Sequence, residues 1–88
     1  MQVQEAFKAL SDPTRRAIIL LVKDHKKSAD EIVSQFSSTN ATISHHLAVL
    51  KEADLILDER DGKFIYYELN SKTVNDLIDW LKALKRTK

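Results

Sequence analysis

The chain has 88 residues, with 14 lysines and arginines against 13 aspartates and glutamates, three histidines, one glycine, one proline and no cysteine. That length fits one compact domain with a thin core, and a formal net charge of +1 points to no class of partner by itself. The absence of cysteine excludes disulfides, thiolate metal sites and cysteine nucleophiles, and one glycine is too few for a Walker A loop, a GxGxxG turn or a nucleophile elbow.

A first helix is expected from Val3, Phe7 and Leu10, which recur at helical spacing and end at Ser11. Asp12 precedes Pro13, so the backbone leaves helical angles there. Asp12 then caps a second helix that has Pro13 in its first turn and runs to about Lys23. Ala17 to Val22 is apolar nearly all round, which predicts a central, enclosed helix. The same run is far short of the ~20 residues a membrane span needs. The first residues also lack the basic-then-apolar pattern of an export signal, so the expected location is the cytoplasm.

Asp24 to Lys27 is expected to be a polar break. Ser28-Ala29-Asp30-Glu31 is a capping box opening a short third helix with Ala29, Ile32, Val33 and Phe36 as its apolar residues. Ser37 to Asn40 forms a turn, and Thr39 or Asn40 caps a fourth helix carrying Ile43, Leu47 and Leu50, with Ala53 and Leu55 closing it. Two strands follow, Ile56 to Arg60 and Lys63 to Leu69, joined by Asp61-Gly62 in a predicted type I′ turn. Ser71 is expected to cap a last helix with Val74, Leu77, Ile78, Leu81 and Leu84 on one broad stripe.

The result is a mainly α architecture of five helices with a two-stranded β-hairpin wing, a winged helix-turn-helix spanning residues 1–88 as one domain. On a wheel of ~100° per residue, Ile43, Leu47 and Leu50 of the fourth helix share the core side. Ala41, His45, Ala48 and Glu52 then point outward, with Thr42 and Ser44 on the flanks, so the outward face of the first turns is small and polar. Small, uncharged, hydrogen-bonding side chains are what a helix entering the major groove needs; an ordinary solvated face carries more lysine and glutamate. His46 lies at the edge of the apolar stripe and is expected to make a structural hydrogen bond. His25, His45 and His46 are too dispersed for a shared metal, so no metal site and no cofactor is expected.

Arg60 and Lys63 flank the hairpin turn, where cations reach phosphates or the minor groove. Against this, Thr39 to Lys63 holds three cations, Lys51, Arg60 and Lys63, and five carboxylates, Glu52, Asp54, Asp58, Glu59 and Asp61. Affinity for DNA must therefore come from positioned contacts and the helix N-terminus, with support from Arg15 and Arg16. No activated nucleophile or anion hole is legible, so the chain is not expected to be an enzyme.

Phe7-Lys8-Ala9-Leu10-Ser11-Asp12-Pro13-Thr14-Arg15 leads about thirty residues later to Ser44-x-His46-Leu47-x-x-Leu50-x-x-Ala53, and Gly62-Lys63-Phe64-Ile65-Tyr66-Tyr67-Glu68-Leu69 follows. Together these resemble the ArsR/SmtB family of bacterial winged-helix repressors over nearly the whole chain. Ile65-Tyr66-Tyr67 and Trp80 are most similar to its small autorepressor subgroup. The resemblance implies a homodimer built from the first and last helices, binding a double-stranded, palindromic operator and repressing transcription. Thr42, Ser44 and His45 would then face bases, Asn40 would fix register on a phosphate, and Arg60 and Lys63 would form the wing contact. The dimer interface would use Val3, Phe7, Leu10, Val74, Leu77, Ile78 and Leu81. Many family members sense metals through cysteines, or through histidines in the last helix; this chain has no cysteine and no histidine after His46. What releases the repressor is left open, an inducer protein being one candidate partner, and no small-molecule substrate is expected. The competing reading is a winged-helix protein-interaction module without sequence-specific DNA binding, which the excess of carboxylates favours.

Overall fold

Residues 2–85 are described by a computed structural model of the chain. The elements are α1 (Val3–Leu10), α2 (Pro13–Val22), β1 (Lys27–Ser28), α3 (Ala29–Val33), α4 (Asn40–Glu52), β2 (Ile56–Asp61), β3 (Phe64–Leu69) and α5 (Ser71–Ala83). This is the expected winged helix-turn-helix with one addition: β1 joins the hairpin, giving an antiparallel sheet of order β1-β3-β2.

Helix starts follow from local chemistry. Asp12 accepts from the Arg15 amide at 3.0 Å, with Pro13 at the first helical position, where no amide is missed. Ser28 and Glu31 form the expected reciprocal box, Ser28 N donating to Glu31 Oε1 at 2.9 Å and Glu31 N to Ser28 Oγ at 3.1 Å. Thr39, rather than Asn40, caps α4 by accepting from the Thr42 amide at 3.2 Å. The expected cap of α5 is displaced: Asn70 is the N-cap residue, without a side-chain cap bond, and Ser71 is already helical. α3 is shorter than its apolar spacing suggests, and Phe36 lies beyond it in a turn, half-buried against the core.

α4 ends in a Schellman arrangement. Leu55 N donates to Leu50 O at 3.0 Å and Asp54 N to Lys51 O at 2.9 Å, with Asp54 at φ 60. The left-handed residue there is usually glycine, and aspartate is one of the few others that tolerates it.

The core consists of Ile18, Val22, Ile32, Ile43, Leu47, Leu50, Leu55 and Ile56, with Ala6 and Ala9 bringing α1 close. α2 is not enclosed as predicted: Leu20 is 65% exposed. A domain of this size lacks the layers to surround a helix. α5 buries only Thr73 and Leu77.

The hairpin register also differs from expectation. Asp61 pairs with Phe64, so the two-residue loop is Gly62-Lys63. Of these two loop residues Gly62 alone has positive φ, at 64, which is the pattern of a type II′ turn rather than I′. The observed register sets Ile56 opposite Leu69; closing the turn one residue earlier would set Arg60 opposite Lys63, and like charges across a ladder destabilise it.

Candidate nucleic-acid interface

α4 presents Asn40, Ala41, Thr42, Ser44, His45 and Ala48 to solvent, while Ile43, Leu47 and Leu50 are buried. The four predicted contact residues of the helix thus share its exposed side within the first two turns. The cap prepares one of them. The Thr39 hydroxyl donates to Thr42 Oγ1 at 3.0 Å, so the Thr42 hydroxyl accepts internally and keeps its own hydrogen for an outside acceptor.

Arg60 and Lys63 are exposed at the wing tip, and among the described residues neither forms an ion pair. Strand alternation decides where Arg60 points. Asp58, two residues earlier on the same face, accepts from Lys51 Nζ of α4 at 2.8 Å. Arg60 therefore lies on the face of the wing turned toward α4, and Glu59 and Asp61 lie on the other.

The carboxylates that weigh against DNA binding are partly neutralised. Lys51 pairs with Asp58, and Lys26 pairs with Glu59 at 3.1 Å while lying 5.3 Å from the Tyr66 ring centroid. Hydrogen bonding to these carboxylates raises both ammonium groups above their ordinary pKa. Only the tertiary structure could reveal this, since Lys26 is 33 residues from Glu59.

Arg15 and Arg16 are not the free cations the sequence suggested. Arg16 Nη1 donates to Leu10 O at 2.8 Å, and Arg15 Nε donates to Ala9 O at 2.6 Å. Both close the C-terminus of α1, whose last carbonyls carry partial negative charge. His46 makes the structural contact expected of it, its Nδ1 lying 3.2 Å from Arg15 Nη1. Among the described residues, no group of three histidine, cysteine, aspartate or glutamate side chains is placed to hold a metal ion.

The terminal helices carry the other predicted set. Phe7 stacks edge-on against Trp80, with ring centroids 5.5 Å apart. Phe7, Ile78, Trp80, Leu81 and Leu84 are exposed, whereas Val3, Leu10 and Val74 are half-buried. Leu77 sits in the core of the chain itself, only 7% exposed.

Residues 12–57, from the cap of α2 to the start of β2, match the sequence profile described as bacterial regulatory protein, arsR family. The chain belongs to the arsR family. Its similarity to the transcriptional repressor SdpR of Bacillus subtilis (strain 168) is 46% identity, covering 90% of this chain and 88% of that one. The cadmium resistance transcriptional regulatory protein CadC homolog of Staphylococcus aureus is 34% identical over 90% of this chain, which spans 66% of the length of that relative. A solved structure described as a possible transcriptional regulator for arsenical resistance superimposes with a TM-score of 0.82 at 26% identity, covering 94% of this chain and 86% of that one. This arsR-family chain is accordingly a helix-turn-helix transcriptional regulator and not an enzyme.

Proposed function

We propose that this arsR-family chain is a transcriptional repressor that binds a palindromic operator, including one in its own upstream DNA, as a homodimer in the cytoplasm. The observation that carries the reading is the first half of α4. Its exposed side is built of Asn40, Ala41, Thr42, Ser44 and His45, with no charged residue, above a cap that orients the Thr42 hydroxyl. Short side chains let the backbone approach the groove floor, and hydroxyl, amide and imidazole groups match base-edge donors and acceptors. Asn40 and the first free amides hold a phosphate; Arg60 and Lys63 hold the flanking backbone.

Dimerisation completes the reading. α5 is 13 residues long yet buries two side chains in its own subunit, leaving Ile78, Trp80, Leu81 and Leu84 beside Phe7 uncovered. A second copy covers this face, with Val3, Leu10 and Val74 at its margin and Leu77 supporting it from within. The protein-interaction alternative loses part of its support, because Lys26, from outside the Thr39–Lys63 segment, takes up Glu59 and cuts that segment's excess of carboxylates from two to one. Release by zinc, nickel or arsenite is not part of the proposal, and these should change operator affinity by no more than about twofold, against the tenfold that a coupling of ~1.4 kcal/mol would give.

The test is a mobility-shift titration with the chain's upstream DNA and an unrelated duplex at matched salt. Ser44→Ala or His45→Ala, each costing about 1 kcal/mol per half-site, should weaken operator binding about thirtyfold. Binding to the unrelated duplex should change far less. Equal losses on both duplexes would confine these residues to the backbone, and no loss on either would return the protein-interaction reading.

A further inference from the structure

We propose that Arg15 is a positioning residue for DNA recognition: its guanidinium locks the rotation of α4 to α1 and so ties base reading to the helix that carries Phe7. The inference rests on the reading of α4 given above and adds to it a residue that touches no DNA.

Three acceptors on two other helices share this one side chain. Nε donates to Ala9 O at 2.6 Å, Nη2 to Lys8 O at 3.3 Å, and Nη1 to His46 Nδ1 at 3.2 Å. Guanidinium has no acceptor, so His46 Nδ1 receives the bond and the ring carries its hydrogen on Nε2. The base of the side chain is itself held, because the Arg15 amide donates to Asp12 Oδ2 at 3.0 Å and that oxygen lies 4.0 Å from His46 Nδ1. Among the described residues the Arg15–His46 contact is the one side-chain hydrogen bond between α4 and another helix.

Directionality gives the contact its importance. The rest of the α1–α2–α4 junction is aliphatic, with Ala6, Ala9, Ile18, Ile43 and Leu47 packed together, and burial of such surface is non-directional. A helix with side chains has a radius of about 5–6 Å, so turning it by about 10° moves a side-chain tip about 1 Å. That is enough to spoil a hydrogen bond to a base edge. His46 directly follows Ser44 and His45 in the chain, and its side chain is only 13% exposed, so fixing it fixes the azimuth of its neighbours.

The other end of the strut reaches the terminal face. Lys8 and Ala9, whose carbonyls Arg15 grips, follow Phe7, which packs on Trp80 of α5. A second subunit seated on that face sets α1, and Arg15 passes the setting to α4. Coupling is reciprocal, so DNA that selects one setting of α4 must tighten dimerisation by the same factor.

The experiment uses the full chain, a duplex selected by the wild type from a random-sequence pool, and an unselected duplex of equal length at matched salt. Arg15→Met and His46→Leu should each weaken binding to the selected duplex about tenfold, and the double variant should be no weaker than either, as for one shared interaction. Unselected DNA should bind within about twofold of wild type. His46→Asn, whose amide oxygen takes the place of Nδ1, should restore selected binding to within about threefold of wild type. Histidine ¹⁵N spectra should show Nδ1 of His46 accepting in the wild type and altered in Arg15→Met. Folding and dimerisation are checked by circular dichroism and sedimentation; should Arg15→Met not fold, the His46→Leu and His46→Asn pair decides. Wild-type affinity in folded variants, equal losses on both duplexes, or His46→Asn as weak as His46→Leu overturns the proposal. A pool from which the wild type selects no sequence overturns base reading by α4 first, and this inference with it.

Discussion

Leu77 and Leu81 lie one helical turn apart on the same apolar stripe of α5, yet they should fail in different ways. Leu81 is 47% exposed in the subunit, whereas Leu77 is 7% exposed. Fully burying a leucine is worth ~1.5–3 kcal/mol, so covering the exposed half of Leu81 contributes about 1 kcal/mol. A two-fold dimer counts it twice, and losing about 2 kcal/mol raises the dimer dissociation constant about thirtyfold. Leu81→Ala should therefore weaken the dimer by that amount while the subunit stays folded. Leu81→Asp should abolish it, because each carboxylate must also be stripped of water. Leu77→Ala instead removes packing inside the subunit and should cost ~2–5 kcal/mol of folding stability. Sedimentation over a wide range of protein concentration, paired with thermal unfolding by circular dichroism, separates the two. A Leu81→Asp variant that sediments as the wild type at every concentration would refute the assignment of this face, as would a wild type that is monomeric at micromolar concentration.

Other outcomes follow from the wing and the caps. Log affinity for operator DNA should fall linearly with log salt, and Lys63→Ala should flatten the slope by about one; an unchanged slope removes the wing from the phosphates. The backbone hydrogen bond from Arg15 holds the Asp12 carboxyl below its ordinary pKa, so its contribution to stability is complete above about pH 4 and is lost as pH falls through the lowered folded value. Asp12→Asn keeps a capping oxygen without titrating, and its stability deficit relative to wild type should shrink on acidification; a pH-independent difference in denaturant midpoint would contradict this. Asp54→Gly relieves the left-handed conformation at the end of α4 and should raise stability by about 0.5–1 kcal/mol in urea titrations, whereas Asp54→Val should lower it.

Much of this molecule is written in short stretches of chain. Asp12, the Ser28–Glu31 box and Thr39 cap helices because donor and acceptor lie within three residues of one another, so local chemistry settles them before any packing occurs. The outward face of α4 is equally legible, since one helical period places Ile43, Leu47 and Leu50 on the core side and Thr42, Ser44 and His45 away from it. The features that sequence could not supply depend on distant partners. β1 is two residues long and exists as a strand only through Tyr66 and Tyr67. The wing turn moved to Gly62-Lys63 because the ladder as a whole, not the Asp61-Gly62 dipeptide, sets the register. Leu77 and Leu81 share a stripe but differ in depth, which periodicity does not encode. Arg15 reads as a surface cation until α1 places two carbonyls beside it and α4, 31 residues on, supplies His46. Hydrogen bonds within one turn follow from residue type and spacing, but the destination of a long cationic side chain is set by which unsatisfied acceptors the folded chain brings within reach.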